Sequence, residues 1–442
     1  MTARRRNPRW IPPFLGRVPD AVPDHHVSLL GAVAFAIFFE NYDQAMLTQA
    51  IKQIALDFGV VESELGNLLG FVRLGAVPAF LLIPIADRIG RRRTFLASVV
   101  GMSVATTLSA FAPNVQVFIA LQMASRLFMV TAAATAFVIV TEEFHSAHRG
   151  WGIGIVGAVG TFGVGMSALL FAGIDLLPYG WRAMYLLGIV PALALPTLRR
   201  RVSETRRFDA QRRARAAAED GLPTEWWRPL AWLARTHPLR TLAVGVIGAA
   251  SSAAGAVAYN FSAYFVQQVH GWEPGHYSLM LLAAGTVGIL GHPFAGRFAD
   301  QRGRRVVGFA FYSALPLLAS GFYVAPGWLL PFLWVPMVFA LTGGITIARA
   351  LSTELFATSF RGTASGYLQL MDTLGAAAGL FLVSALTADD GSAIPAVRIV
   401  VWLSLLASLA VLVLPETGRR ELEEISGEDE GRPQPSRLRG DG

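Results

Sequence analysis

The sequence contains no cysteine, which excludes disulfides, thiol catalysis and cysteine-bound metal sites. Lysine is almost missing as well. Lys52 is the only one in 442 residues, so a phosphate-binding loop or a Schiff base has a single place to be, and neither motif surrounds it. There is no His-Glu-x-x-His and no Gly-x-Ser-x-Gly. The residues therefore offer no catalytic set, no metal site and no cofactor site, and an enzyme is not expected. Charge is scarce too: 15% of residues are charged, against about 25% in an average soluble domain.

What fills the chain is apolar. Hydrophobic residues make up 53%, and the mean hydropathy is +0.48. They fall in blocks, approximately 27–54, 64–86, 94–112, 115–140, 151–176, 181–198, 239–268, 276–299, 306–325, 328–350, 363–388 and 394–414. A membrane span needs roughly 20 mostly apolar residues. The pattern predicts an all-α membrane protein of twelve transmembrane helices in two six-helix halves, 27–198 and 239–414. Around them lie an N-terminal segment (1–26), a central loop (199–238) and a polar tail (415–442). The Arg-rich start runs into an apolar segment too long for a signal-peptide core, so that segment is expected to stay as a span.

The net charge of +7 is carried almost wholly by arginine. In a soluble chain it would suggest nucleic acid. Here the arginines cluster in alternate turns, near 88–93, 145–149, 302–305 and 361, and in the central loop. The positive-inside rule then puts both termini in the cytoplasm, and the expected membrane is a plasma membrane, a bacterial inner membrane. Arg182 and Arg398, at the other ends of spans, are exceptions. Trp, Leu and Arg mix over 223–233, which suits a short helix lying at the headgroup layer.

The halves echo each other. Pro84-Ile85-Ala86-Asp87-Arg88-Ile89-Gly90-Arg91-Arg92-Arg93 follows the second apolar block, and Gly296-Arg297-Phe298-Ala299-Asp300-Gln301-Arg302-Gly303-Arg304-Arg305 follows the eighth. Thr141-Glu142 with Arg149-Gly150 returns as Thr353-Glu354 with Arg361-Gly362, and Tyr42-Asp43 returns as Tyr259-Asn260. Pseudo-symmetric six-span halves joined by a long loop imply a solute site between the halves, near mid-membrane.

On these motifs the chain resembles the major facilitator superfamily over essentially its whole length. The superfamily's Gly-x-x-x-Asp-Arg-x-Gly-Arg-Arg loop is similar to 296–305, with Ile83 replacing the first glycine in the other copy. Pro415-Glu416-Thr417-Gly418 followed by Leu422-Glu423-Glu424, and Ser203-Glu204 after span six, resemble the branch of sugar porters and aromatic-acid or metabolite:proton symporters. The resemblance implies a cytoplasmic gate made of Asp87, Arg88, Gly90, Arg91, Glu142, Arg149, Gly296, Asp300, Gly303, Arg304, Glu354 and Arg361. In it Arg91 and Arg304 pair with Glu142 and Glu354, Asp87 meets the start of span eleven, and Asp300 meets the start of span five.

Charges inside spans are costly and mark function. Glu40 and Asp43, three apart, share a face of the first helix. Burial favours the neutral form of a carboxylate and a nearby guanidinium the charged form. Asp43, with Glu40, is thus the candidate for proton coupling, the other reading being a permanent salt bridge. Arg73 and Arg126 are its possible partners and candidates for binding an anionic solute. Tyr42, Tyr259, Asn260 and Tyr264 complete the candidate solute contacts. His292, Arg349 and Asp372 are in-span groups that serve packing or pairing as readily as function. Gly157, Gly160, Gly163 and Gly165 are expected to let span five approach a neighbour closely. Sugar porters carry a Gln-Gln pair where Ala254 and Gly255 stand here, which argues against a sugar. The expectation is proton-coupled symport of a small organic solute, leaning to an organic acid, by a monomer. The alternatives are a sugar:proton symporter and a proton-coupled exporter.

Overall fold

A segment crossing lipid must satisfy its own backbone N–H and C=O groups, and a helix does so within one stretch of chain. The computed structural model is accordingly helical, with no β-strand among the described residues, which are 7–8, 10–12, 17–80, 82, 89–204, 228–288, 290–356, 360–388 and 391–417. Asp87, Arg88, the first part of the expected headgroup helix and most of the polar tail lie outside them.

The first half contains α1 (Asp24–Gln49), α2 (Ile51–Phe58), α3 (Leu65–Leu74), α4 (Arg91–Ser109), α5 (Val115–Glu143), α6 (Ser146–Ala172), α7 (Trp181–Leu186), α8 (Val190–Leu193) and α9 (Leu195–Arg201). The second contains α10 (Arg228–Thr236), α11 (Pro238–Asn260), α12 (Ser262–Gln268), α13 (Pro274–Gly288), α14 (Gly291–Arg302), α15 (Arg304–Phe322), α16 (Leu330–Glu354), α17 (Arg361–Leu386), α18 (Ile394–Val400) and α19 (Ser404–Val413). Among the described residues seven helical stretches are long and apolar enough to cross a membrane, and the pair 181–193 and 195–201, bent by 41°, makes an eighth if it is one span. The other four expected spans contain helix among their described residues, and part of the second, 81 and 83–86, lies outside those residues. They fall at α1, α3, α4 and the pair α13–α14, which carry charge or breaks.

The helices form two compact units. One comprises 1–222, 257–283 and 380–397; the other comprises 223–256, 284–379 and 398–442. The boundary falls inside α11, α13, α17 and α18.

In the first unit Leu30, Val33, Phe95, Val99, Ile139 and Val140 belong to one buried core. Apolar burial gives little drive between helices in lipid, so close backbone contact at small residues matters more. A Cβ on Gly163 would land on the Phe38 carbonyl, and one on Gly160 would come within 3.0 Å of Asn41. These two glycines seat α6 against α1 beside Asp43. Gly157 faces nothing within 4 Å, and Gly165 has only ordinary contact with Leu282, so of the four expected glycines two do the packing. Gly75 likewise lies against the main chain of Met123, which brings the segment after α3 onto α5. In the second unit Val244, Ile247, Tyr312, Ile347, Leu351 and Val411 share a core, and Gly375 abuts the Ala249 backbone.

Candidate functional site

Helical spacing builds a cavity in the first unit. Asn41, Gln44, Ala45 and Thr48 recur at three- and four-residue steps along α1, and so present one face. Leu69, Val72 and Arg73 do so on α3, and Gln122, Arg126 and Met129 on α5. With Asp43, Leu47, Val164, Tyr259 and Asn260 they enclose about 150 Å³.

Asp43 is 4% exposed. Its Oδ2 accepts a hydrogen bond from Ser125 Oγ at 3.0 Å, and Thr106 Oγ1 lies 2.9 Å from that hydroxyl. Its Oδ1 is buried without a hydrogen-bond partner. Arg126, one residue beyond Ser125 and half-buried, acts through its charge on both Asp43 and Glu40. The hydrogen bond that holds Asp43 comes from the Ser125 hydroxyl. Arg126 Nε is itself buried without a hydrogen bond. Among the described residues Asp43 and Arg126 form no ion pair. A carboxylate and a guanidinium instead face one cavity with bonding capacity to spare.

The other expected contacts divide. Arg73, Tyr259 and Asn260 line the cavity, and Asn260 Oδ1 accepts from Thr48 Oγ1 at 2.8 Å. Glu40 lies outside its wall. Tyr42 faces away: its hydroxyl donates to the Met184 carbonyl at 2.8 Å, since successive helix residues point about 100° apart. Tyr264 also leaves the cavity, because its hydroxyl donates to Glu62 Oε2 at 3.1 Å.

That last contact belongs to a polar cluster at the end of the unit opposite the Arg-rich loops. Glu62 Oε1 accepts from Ser392 Oγ at 3.0 Å and from Ala393 N at 2.7 Å. Lys52 Nζ donates to the Gln267 carbonyl at 2.9 Å, and Gln53 Nε2 to Gln267 Oε1 at 2.8 Å. Nearby, Arg182 pairs with Asp57 at 2.7 Å, so this exception to the arginine pattern has a local counter-charge. Sequence reasoning missed Glu62 and the Ser125–Thr106 pair. The four-residue repeat Gln122–Arg126 was a usable signal for the cavity face of α5; Glu62 carried none.

At the Arg-rich end the repeat is visible as geometry. Gly90 and Gly303 both have positive φ, 116° and 95°, a backbone that side chains disfavour, and each opens a helix. Arg91 pairs with Glu142 at 3.1 Å. Arg304 pairs with Glu354 at 3.0 Å and with Asp300 at 2.7 Å. Asp300, near the end of α14, thus pairs with the arginine that opens α15. Glu204 Oε1 accepts from Arg92 N at 3.1 Å. In the other unit Glu416 accepts from Arg304 N at 2.7 Å and from Arg305 N at 3.1 Å. Each carboxylate caps a helix N-terminus with unsatisfied N–H groups. Arg361 is half-buried, and a Cβ on Gly296 would meet nothing within 4 Å. Arg149 lies in the first turn of α6, with its side chain outside the described residues. His292 Nδ1 lies 2.7 Å from Thr346 Oγ1, and Asp372 accepts from Ser252 at 3.0 Å.

A paired-loop repeat of this kind, on two bundles of membrane helices, defines a polytopic carrier fold. The model of the Major Facilitator Superfamily matches residues 33–348 and 247–439, and the chain belongs to that family. It is similar to the gallate transporter of Pseudomonas putida, 27% identical over 184 residues, which are 41% of this chain and 40% of that protein. It is similar to the cis,cis-muconate transport protein of Acinetobacter baylyi, 25% identical over 362 residues, 77% of this chain and 83% of that protein. The chain thus spans about two fifths of the first relative's length and most of the second's. Among solved structures it shares the fold of the xylose transporter XylE from E. coli, with a TM-score of 0.68 at 18% identity, covering 90% of this chain and 99% of that one.

Proposed function

We propose that the protein is a secondary active transporter that carries a small organic acid together with protons by alternating access. It works as a monomer in a bacterial inner membrane with both termini in the cytoplasm. One observation carries this reading: Asp43, Arg73 and Arg126 line a single cavity of about 150 Å³. A cavity near that volume holds a benzene-sized molecule, so the solute is a one-ring or short-chain acid. The similarity to a gallate transporter and a cis,cis-muconate transport protein supports the same class.

Coupling follows from charge balance. A buried charge without compensation is expensive. When Asp43 is ionised, it and Glu40 balance Arg73 and Arg126, and a solute carboxylate adds an excess negative charge. When Asp43 takes a proton, one positive charge is left over, and the solute carboxylate restores the balance at a planar, bidentate guanidinium fork. Proton and anion therefore bind best together. The Arg-rich loops, with Asp87 and Arg88, act as the cytoplasmic gate, and pairs such as Arg91–Glu142 break and reform as the halves rock.

A second reading has its own observation. Asn41, Gln44, Gln122 and Asn260 put four amides on the cavity wall, which suits a hydroxylated solute, a sugar or polyol. Uptake into proteoliposomes under an imposed pH gradient, with a panel of acids, sugars and cations, separates the two. Asp43→Asn is expected to abolish gradient-driven accumulation and to leave solute exchange intact. Accumulation by the variant at the native level would refute the coupling role, and accumulation of sugars alone would refute the acid.

A further inference from the structure

Two of the amides on the cavity wall are turned one way, and the chemistry of their partners fixes which way. Gln122, 3% exposed, donates from Nε2 to Ser109 Oγ at 3.0 Å. Ser109 ends α4, and its own hydroxyl hydrogen goes to the Ala105 carbonyl one turn back, at 2.9 Å. A hydroxyl has one hydrogen to give, so Ser109 can only accept from Gln122, and the amide must present its nitrogen there. Asn41 donates from Nδ2 to the Ile37 carbonyl at 2.9 Å, and a carbonyl likewise only accepts. Gln122 and Asn41 both line the cavity, whereas Ser109 and Ile37 lie outside its wall. Each amide is thus anchored to the protein through its nitrogen. Its carbonyl oxygen has no hydrogen-bond donor among the described residues and is left for what the cavity holds.

The spacing says where on a solute the donor must sit. Gln122 and Arg126 are four residues apart on α5 and share one face, which separates them by about 6 Å along the axis. That is close to the reach across a six-membered ring from one substituent to the opposite one. A carboxylate held at Arg126 therefore brings the far substituent of a one-ring acid to the Gln122 oxygen. A substituent with an O–H or N–H pairs there. One that only accepts sets two acceptors against each other, and a bare ring leaves the amide oxygen without a partner, which costs free energy in a site closed to water.

We propose that Gln122 is a specificity-determining residue, which admits acids bearing an O–H or N–H donor about one helical turn from the carboxylate and refuses acids whose substituent only accepts. This rests on the reading of the cavity as an organic-acid site. Asn41, on α1, offers a second acceptor of the same polarity. The amides on the wall are thereby reconciled with a charged solute, since one ring with a carboxylate and a donor satisfies Arg126 and Gln122 together.

The test is calorimetry on the full-length protein in detergent, with para-hydroxybenzoate, para-aminobenzoate, para-methoxybenzoate and benzoate as probes. All carry the carboxylate on the same ring, and they differ in what the far position offers: O–H, N–H, an acceptor alone, or nothing. The two donor acids are expected to bind about fivefold to tenfold more tightly than benzoate, the worth of one hydrogen bond, and the methoxy acid more weakly than benzoate. Gln122→Met is close in size and lacks the oxygen, and is expected to bring the ratio of para-hydroxybenzoate to benzoate affinity down to about twofold or less. Equal affinity for all the acids would overturn the proposal and leave the acid reading standing. So would a methoxy acid bound as tightly as the hydroxy acid. Binding of none of the acids would overturn the acid reading, and this proposal with it. An unchanged ratio in folded Gln122→Met would overturn the assignment to Gln122. The wild-type series decides the polarity of the site even if the variant does not fold.

Discussion

Removing the Glu62 carboxylate is expected to unlatch the end of the cavity opposite the Arg-rich loops. Glu62 accepts three hydrogen bonds, from Tyr264 Oη at 3.1 Å, Ser392 Oγ at 3.0 Å and Ala393 N at 2.7 Å. A protein hydrogen bond contributes about 0.5–1.5 kcal/mol net, so three make roughly 3 kcal/mol. Glu62 is half-buried, and water replaces part of what is lost, which leaves about 2 kcal/mol, or a ~30-fold shift in the equilibrium between closed and open ends. The lack of any native cysteine makes the assay clean. Gln44, on the cavity wall, is replaced by cysteine, and an impermeant maleimide is added from the Glu62 side of sealed vesicles. Glu62→Ala should raise the labelling rate by about tenfold or more, limited by that ~30-fold shift, and Glu62→Gln, which keeps one acceptor oxygen, by less. Glu64→Ala, two residues along the same turn, serves as the control. A labelling rate within twofold of the parent in Glu62→Ala, with normal folding, would refute the latch.

Three further outcomes are expected. Arg126→Gln should weaken binding of a carboxylate solute by about tenfold to a hundredfold, the worth of a charge-assisted hydrogen bond; calorimetry against the neutral amide of the same solute, whose affinity should hardly move, checks this. Gly163→Val drives a side chain onto the Phe38 carbonyl and should destabilise the protein by about 2 kcal/mol or more, read as a lower melting temperature, whereas Gly157→Val, facing open space, should melt like the parent. Glu416→Ala removes the cap from the Arg304 and Arg305 N–H groups and should cost about 1 kcal/mol, with Glu204→Ala a smaller loss in the same thermal assay, since Glu204 is given one such bond rather than two.

The parts of the molecule legible in the sequence are those set by local rules or by repetition. Hydropathy placed the helices because every span must be apolar over its own length. The echo of Asp87–Arg93 in Asp300–Arg305 pointed to Arg91–Glu142 and Arg304–Glu354, because a duplicated unit duplicates its pairs. The cost of a charge inside a span put Asp43 and Arg126 forward, and the echo of Tyr42-Asp43 put Asn260 forward; all three line the cavity. What spacing could not settle was direction around a helix. Tyr42 and Asp43 are neighbours in sequence, yet one faces Met184 and the other Ser125. Contacts joining residues some 200 or 330 apart, as Glu62 does with Tyr264 and Ser392, leave no periodic trace and emerge only from packing.

The two capping carboxylates bear on how the chain is made. Glu204 and Glu416 come immediately after the last helix of their halves, and each closes back on a loop synthesised more than a hundred residues earlier. A half can fasten its Arg-rich loop only once its sixth span has left the ribosome. The first bundle completes its clasp before any of the second exists. The second can do so only when the chain has been made as far as Glu416.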